Sequence, residues 1–362
     1  MLTHHGKSNF CNSLRPLVCN DLGSTSAITN YLEYLFMQSL LNAFHDLHIL
    51  VIGDIMLDRY IVGSVSRISP EAPVPVVEVQ ERNDHLGAAG NVAANLRSLG
   101  AKCSLLGTVG EDDAGERVKE LLTSQVIDFY TSPLKKGCCT IVKERIIGNH
   151  QQLCRLDQEH QPYCYYIHSQ ASISWIRERL EGLDGIIFSD YAKGVLSSKF
   201  VADVQSMARL KGIFVAMDPK PKSQLQFSGL DLITPNYKEA CILAEVDSGL
   251  NDKPSMELIC KNLYERYQTK NLVITLGENG MQIGRREKMG KRLCISAQQV
   301  YDVSGAGDTA IAALSLALCA GASLEDAVLL ANTSASIVVG QIGTAQPTQQ
   351  AIINRLKQES LL

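Results

Sequence analysis

The sequence predicts an α/β fold in which helices cover both faces of a mostly parallel sheet. Short apolar runs recur from Leu47 onward, and amphipathic stretches of helical length separate them. Strands that are apolar at every position, rather than at every second one, are typical of a sheet buried on both faces. The regular alternation of such strands with helices indicates parallel pairing.

The elements begin at recognisable signals. Ser197 precedes one helix, Ser323 stands three residues before Asp326 in capping-box spacing, and Pro347–Thr348 opens the last helix. The predicted strands are Leu47–Ile52, Gly185–Phe188, Ile213–Met217, Leu232–Ile233 and Leu272–Leu276, and the clearest predicted helices are Ala114–Leu122, Ser198–Leu210, Met256–Tyr267 and Ala310–Ala320.

Two regions depart from this rhythm. Residues 1–45 are polar apart from an apolar stretch, Tyr31–Phe44, that suits a short amphipathic helix; we expect a partly disordered N-terminal extension before one domain over 46–362. The segments Ile61–Val79, with three prolines, and Thr140–Leu156, with interspersed charges, favour a small β-flap over a cleft or a dimer contact.

Composition excludes several classes of protein. The 362 residues are 45% hydrophobic and 20% charged, which excludes a largely disordered chain, and the net charge of −4 argues against a nucleic-acid partner. The longest apolar run, Ala310–Ala322, is too short to span a membrane. The 11 cysteines form no C-x-x-C pair, so we expect mostly buried free thiols, no disulfide staples and a cytoplasmic location.

Polar residues and glycine follow the predicted strands. Asp54, Asp190, Asp218, Asn236 and Gly277 each lie directly after an apolar strand or within three residues of its end. In open parallel sheets the ligand site lies beyond the carboxyl ends of the strands, so these residues are predicted to converge on one cleft.

The sharpest motif is Asp302–Thr309, which leads into a helix of small residues. A glycine-rich turn before a helix directs free backbone N–H groups and the positive end of the helix dipole toward an anion. Asp308 beside such amides is suited to accept a proton from a hydroxyl while the amides hold a phosphoryl group. The alternative is an acidic residue that only complements the helix dipole.

Two further motifs have adequate structural explanations. Gly87–Asn91 is a second glycine-rich entry to a helix, and Asp54 and Asp58 lie at a strand end where they can accept hydrogen bonds from sugar hydroxyls; tight packing would explain both. Asn236 and Glu239 have capping-box spacing, and the same pair could instead organise hydrated Mg²⁺ and phosphate oxygens. Neither Walker A nor G-x-G-x-x-G occurs.

Together these motifs resemble those of the ribokinase-type (pfkB) carbohydrate kinases. The run Ser66–Val76 is more restrictive and, with Asn149–Asp157, Ser189–Gly194 and Val338–Thr344, is similar to bacterial D-glycero-β-D-manno-heptose-7-phosphate kinases. The resemblance implies a three-layer αβα ribokinase-like fold with a β lid near 61–82 and 138–157 that forms a homodimer. It implies ATP-dependent phosphorylation of the anomeric hydroxyl of heptose 7-phosphate, in ADP-heptose biosynthesis for lipopolysaccharide core.

The resemblance also assigns roles to residues. Asp308 matches the catalytic base, and Gly305, Ala306 and Gly307 match the anion hole. Substrate-binding positions are Asp54, Asp58, Gly87, Ala88, Asn91, Arg145, Asp190 and Lys193. Nucleotide-binding positions are Lys220, Asn236, Glu239, Thr275, Gly277, Gly307 and Asn332, with Glu239 holding Mg²⁺ through water. The cofactor is Mg²⁺ with ATP, and a monovalent cation stays open.

The sequence departs from the family pattern in ways that leave questions open. Gln341 stands where the family commonly has lysine, so the cation that meets the 7-phosphate is undecided among Arg67, Arg145, Arg155 and Lys193. The kinase pattern ends close to Leu362, so we expect adenylyl transfer to come from another protein. The alternatives are a kinase of the same clan for another sugar, and a catalytically silent sugar- or nucleotide-binding regulator.

Overall fold

The computed structural model describes residues 26–167, 169–246, 254–286, 290–294, 303–341 and 345–359, with side chains from residue 32 onward. In this part of the chain the main sheet has nine strands in the order β13-β12-β11-β10-β9-β8-β1-β4-β5, parallel except for β12 and β13. Its strands are β1 (His48–Gly53), β4 (Lys102–Val109), β5 (Asp128–Pro133), β8 (Gly185–Ser189), β9 (Phe214–Asp218), β10 (Leu232–Ile233), β11 (Asn271–Thr275), β12 (Met281–Ile283) and β13 (Arg292–Leu293).

Helices cover both faces of this sheet, as the sequence predicts. Successive residues of β1 alternate between the two cores: Ile49 and Val51 pack on one side, and Leu50 and Ile52 on the other. The first face carries α1 (Ser26–Ala43), α2 (Ala89–Ser98), α3 (Asp113–Ser124), α8 (Ala306–Cys319), α9 (Leu324–Val338) and α10 (Gln349–Gln358). The second carries α4 (Gln170–Arg179), α5 (Ser198–Lys211), α6 (Tyr237–Leu243) and α7 (Met256–Tyr267).

A second, four-stranded sheet forms the lid. Its order is β3-β2-β6-β7, with β2 (Ile55–Ile68), β3 (Pro75–Ala88), β6 (Ile141–Gly148) and β7 (Gln151–Gln158). The first flap segment forms a long antiparallel pair, β2 and β3, in which β3 is an edge strand of the sheet. Pro70 and Pro73 lie in the connecting turn, and Pro75 starts an edge strand, where a missing N–H costs no ladder bond.

Strand β4 was not predicted, although seven of its eight residues are buried. Its apolar run is interrupted by Ser104, Gly107 and Thr108, so the sequence pattern does not indicate a strand there. The Ser104 hydroxyl is satisfied within the fold because it donates to Asp128 and contacts the ring of His48. Gly107 is required by close packing, since a Cβ there would lie 2.6 Å from the Cδ1 of Ile55.

The cysteines correct one expectation. Cys103, Cys241 and Cys260 are buried free thiols, as predicted. Cys138 and Cys164, however, form a disulfide, contrary to the expectation that the chain has none. Cys138 precedes β6 and Cys164 follows β7, so the bond closes the base of the lid hairpin, where long-range packing rather than sequence spacing brings the two residues together.

Part of the predicted N-terminal extension is packed into the domain. In helix α1 and the turn after it, Met37, Leu40, Leu41 and Phe44 are buried in the first core. The side-chain amide of Gln349 donates to the carbonyl oxygens of Leu41 and Leu99, which ties this helix to the body of the domain. None of the helices in the described residues is both long and apolar enough to cross a bilayer.

Candidate active site

Four elements bring their ends together at one edge of the main sheet. Asp54 directly follows β1, Asp190 directly follows β8, and Asp218 is the last residue of β9. Asp308 lies in the first turn of α8, and its side chain interacts with groups that follow β8 and with α2. The convergence expected from the sequence is present for these residues.

Asp308 is held at both carboxyl oxygens. The Asn91 side-chain amide donates to Oδ2 at 2.8 Å, and the Tyr191 hydroxyl donates to Oδ1 at 2.6 Å. Only 3% of the residue is exposed. Burial raises the pKa of Asp308 to about 6, and these two hydrogen bonds oppose the rise. A base with a pKa near neutrality combines a useful ionised fraction with enough basicity to accept a proton.

A buried amide network fixes the orientation of Asn91. The side-chain amide of Asn95 donates to the backbone carbonyl and to the Oδ1 of Asn91, and the hydroxyl of Thr309 donates to the Oδ1 of Asn95. These contacts occupy the Asn91 carbonyl oxygens and leave its NH₂ directed at Asp308. We therefore assign Asn91 a contact to the predicted base, which differs from the expected contact to sugar.

The turn before α8 leaves room for an anion. Gly305 caps the helix in the left-handed conformation (φ 79°), which only glycine adopts without strain. Gly307 is exposed, and no described atom lies within 4 Å of where its Cβ would be. The amide of Ala306 makes a long contact of 3.4 Å with the carbonyl of Val303. Asp302, the first residue of the motif, lies outside the described residues.

Asp54 holds the loop that follows β8. Its carboxylate accepts hydrogen bonds from the backbone N–H groups of Tyr191, Lys193 and Val195, and the residue is fully buried. Burial and the nearby charge of Asp190 raise the pKa of Asp54 to about 6. In this arrangement the loop after β8 supplies donors to both carboxylate oxygens of Asp54, and the contact of Asp54 to sugar stays a prediction.

Asp190 also holds the loop that contains it. Oδ1 accepts from the backbone of Ala192 and the hydroxyl of Ser223, and Oδ2 accepts from the backbone of Lys220. Asp54 and Asp190 together therefore fix residues 190–195 and position Tyr191. The expected substrate contact of Asp190 stays a prediction, since the described hydrogen bonds of its carboxylate are all internal.

Asp58 lies on the lid sheet and faces the cleft. Its Oδ1 accepts from Arg145 at 2.6 Å across the β2–β6 pair, and both side chains are nearly buried. A Cβ at Gly87 would lie 2.4 Å from the Oδ2 of Asp58, so only glycine fits beside this carboxylate. Ala88, the last residue of β3 and the N-cap of α2, is almost fully buried at φ 53°.

Two cations of the lid, and one in the loop after β8, are paired with carboxylates. Lys193 contacts Glu159, and both Lys143 and Arg155 contact Asp157. Burial lowers the pKa of Lys143 and Asp157 opposes that change, while the charges of Lys193 and Arg155 lower the pKa further. These groups therefore form one cluster, the lid cluster. Lys143 was not predicted as a site residue because it is one of three consecutive charged residues, Lys143–Arg145, a run that indicates no particular ligand.

Lys220 links two carboxylates. Its Nζ lies 2.9 Å from Asp218 and 2.9 Å from Glu239. Burial alone would lower the pKa of Lys220, but the two carboxylates raise it above its ordinary value, so the ammonium stays charged. Burial raises the pKa of Asp218 to about 7, although Lys220 opposes that rise. The ammonium also lies 5.6 Å from the centre of the Tyr191 ring.

The expected nucleotide-binding residues lie along the neighbouring strand ends. Asn236 and Glu239 form a complete capping box at the start of α6, and Asn236 bridges to Thr275 at the end of β11. Gly277 adopts φ 60°, and no described atom lies within 4 Å of where its Cβ would be. Asn332 is mostly buried and donates to the carbonyl of Leu293.

The residues at this site favour a magnesium ion bound through water. Glu239 Oε1 contacts Lys220 and Oε2 accepts from the backbone of Asn236, so each oxygen already has one partner. Among the described residues no cluster of three or more histidine, cysteine or acidic side chains has metal-binding geometry. Mg²⁺ in phosphoryl transfer commonly keeps several waters, which agrees with such an outer contact.

Comparison with known proteins decides the family. The model of the pfkB family of carbohydrate kinases matches residues 46–351. The chain belongs to this family. The match begins two residues before β1 and ends within α10, so it contains every site residue described above.

The curated relatives of this pfkB-family chain include two bacterial proteins named bifunctional protein HldE. The one from Desulfatibacillum aliphaticivorans is 38% identical over 88% of this chain and 65% of its own length. The one from Magnetococcus marinus is 41% identical over 84% of this chain and 62% of its own length. The chain therefore spans slightly less than two thirds of either relative.

Solved structures show the same fold. Phosphofructokinase-2 from Escherichia coli in complex with potassium superposes with a TM-score of 0.67 over 87% of this chain and 99% of that chain. Sequence identity is 17%, so the likeness concerns the ribokinase-like fold alone. The predicted fold class is confirmed.

Tyr191, like Lys143, is a site residue that the sequence did not predict. It lies within the restrictive run Ser189–Gly194, but only Asp190 and Lys193 were singled out there. A tyrosine between Asp190 and Ala192 gives no sign of the carboxylate it contacts 117 positions away.

Proposed function

We propose that the chain is an ATP-dependent sugar-phosphate kinase whose acceptor is D-glycero-β-D-manno-heptose 7-phosphate, phosphorylated on its anomeric hydroxyl. The observation that carries the proposal is Asp308, an acid held ready as a base at the N-terminal end of a helix. The identity to HldE relatives across the whole kinase-type domain supports the choice of acceptor.

In the proposed reaction, Asp308 accepts the proton of the anomeric hydroxyl as its oxygen attacks the γ-phosphorus of ATP. The bond from that phosphorus to the bridging oxygen breaks, and ADP leaves. First-turn amides of α8 and the fixed ammonium of Lys220 would lie near the charge on the transferred group, where preorganised donors are most effective. Bound with ATP, Mg²⁺ would neutralise phosphate charge, with Glu239 contacting its water shell.

The lid cluster supports a phosphorylated acceptor. Lys143, Arg155 and Lys193 bring three cations together with Asp157 and Glu159, and Lys143 lies opposite Asp58 in the β2–β6 register. An incoming phosphate would exchange with these carboxylates as the partner of the cations. Of the expected candidates, Arg145 is already paired with Asp58, and Arg67 is exposed at the far end of β2, which leaves Arg155 and Lys193 better placed.

Further parts of the proposal concern assembly and location. Leu153 and Leu156 of β7 are exposed, as are Ile68 on β2, Val79 on β3 and Val74 in the turn between them, so the lid offers apolar side chains for a homodimer contact. A monomeric mass in solution at assay concentration would contradict that dimer. We place the reaction in the cytoplasm, where ATP is supplied. A monovalent cation stays a prediction from the family.

The acceptor is tested by product analysis. Purified protein is incubated with ATP, Mg²⁺ and a panel of heptose, hexose and ribose substrates, each with and without a terminal phosphate. We expect ADP release with heptose 7-phosphate above all others, and a product whose mass and phosphorus NMR show a second phosphate on the anomeric carbon.

The same panel separates the alternatives. Preference for another sugar would replace the acceptor and keep the kinase. Saturable binding of sugar phosphate without turnover of any acceptor would favour a silent regulator instead.

A further inference from the structure

We propose that Tyr191 is a positioning residue for the reaction: its hydroxyl holds the Asp308 carboxylate in the ionised, correctly directed state. This inference rests on the proposed function, because it needs Asp308 to be the base. It is carried by the hydrogen bond from the Tyr191 hydroxyl to Oδ1 and by the way the fold fixes the residue that donates it.

Tyr191 must be the donor in this contact. Burial raises the pKa of the Tyr191 phenol well above 10, and the negative charge of Asp308 raises it further. The phenol therefore keeps its proton throughout the range in which Asp308 titrates. Because a neutral phenol can give this proton to a carboxylate, the contact stabilises the ionised form of Asp308.

Two buried acids hold the loop that carries this hydroxyl. Asp54 accepts from the backbone of Tyr191, Lys193 and Val195, and Asp190 accepts from Ala192 within the same loop. Ala192 is held at φ 57°, a strained value for a residue other than glycine. A loop fixed this firmly is suited to hold a side chain in one position.

The groups around Asp308 determine how far its pKa changes when one contact is removed. The Tyr191 hydroxyl from the loop after β8 and the Asn91 amide from α2 favour its ionised form, as does the charge of Lys220 from the loop after β9. Asp58 from β2 opposes ionisation, and the charge of Asp308 acts in turn on Asp218 at the end of β9. Removing the Tyr191 hydroxyl therefore changes one favourable contact and leaves the others in place.

The test is the pH profile of turnover in Tyr191→Phe. The base must be ionised, so turnover of the wild-type protein rises with pH through the pKa of Asp308. Losing the hydroxyl raises that pKa, and we expect the acid limb to move up by about one pH unit. Turnover then falls about tenfold on the acid side and recovers toward the wild-type plateau at high pH, with KM for the sugar phosphate unchanged.

A second variant distinguishes loss of the hydrogen bond from misfolding. Incorporating 3-fluorotyrosine at position 191 keeps the ring and makes the phenol a stronger donor, so the acid limb is expected to move down instead. Tyr264→Phe is the matched control, because its buried hydroxyl donates to the carbonyl of Gly284 in another part of the fold. Its acid limb is expected to stay at the wild-type pH.

The outcomes separate the inference from the proposed function. Opposite shifts in the two Tyr191 variants support the inference. An unmoved acid limb in both, or turnover lost equally at every pH, would overturn it while leaving the kinase proposal intact, provided Asp308→Asn is inactive. Normal turnover of Asp308→Asn would instead overturn the base assignment on which both rest.

Discussion

Single residues in this site are understood through what they touch. Asp54, Asp58, Asp190 and Asp308 are all acids near strand or helix ends, and sequence patterns treat them alike. The structure separates them: two accept hydrogen bonds that fix a loop, one pairs with Arg145, and one accepts from the side chains of Asn91 and Tyr191. Of the four, only Asp308 lies in the first turn of α8 beside the glycine-rich turn, which is why we propose it as the base.

Gly87 offers a prediction at this scale. In Gly87→Ala the new Cβ would overlap Asp58, so the carboxylate must move and its ion pair with the nearly buried Arg145 is disrupted. We expect the KM for the sugar phosphate to rise about tenfold, the equivalent of ~1.4 kcal/mol, with a smaller change in kcat.

Gly182→Ala is the control for that measurement. No described atom lies within 4 Å of where its Cβ would be, so its kinetics should match those of the wild-type protein. An unchanged KM in Gly87→Ala would show that Asp58 and Arg145 take no part in acceptor binding.

At the scale of elements, the strands carry clear signals and the long-range contacts do not. Continuous apolar runs predicted five strands of the parallel core, because burial on both faces leaves no room for polar residues. Strand β4 was missed because its polar residues are satisfied by distant partners such as Asp128. The Cys138–Cys164 bond was also missed, because long-range packing rather than sequence spacing brings the two cysteines together.

Helix α1 yields a prediction at the scale of elements. It lies before the region matched by the family, yet Leu40 is completely buried against the first core. Leu40→Ala should lower the free energy of unfolding by about 2–5 kcal/mol in urea titrations, through lost burial and a residual cavity.

Leu35→Ala provides the comparison within the same helix. Leu35 is 38% exposed, so its truncation should cost about 0.5 kcal/mol or less. Equal losses in the two variants would mean that α1 contributes through helix formation and does not depend on packing.

At the scale of the whole molecule, the fold and the place of the site follow from pattern, whereas the division of labour within the site does not. Parallel strands that end in polar residues predict where a cleft lies, and Asp308 with its glycine turn predicts phosphoryl chemistry there. The contacts that assign roles join residues more than a hundred positions apart, such as Asn91 and Tyr191 with Asp308. No local pattern encodes such pairs, and a resemblance supplies roles only where positions match.

The most direct test of the central claim is the turnover number of Asp308→Asn, measured with sugar-phosphate binding in the same preparation. The substitution keeps the shape of the side chain but removes the proton acceptor, so kcat should fall by about 10²–10⁴-fold while sugar-phosphate affinity stays near that of the wild-type protein. Asp326→Asn, which alters the corresponding first-turn acid of α9, should leave kcat unchanged. If Asp308→Asn turned over at a rate close to the wild-type value, the residue would be only a partner of the helix dipole, and the account of the site would fail.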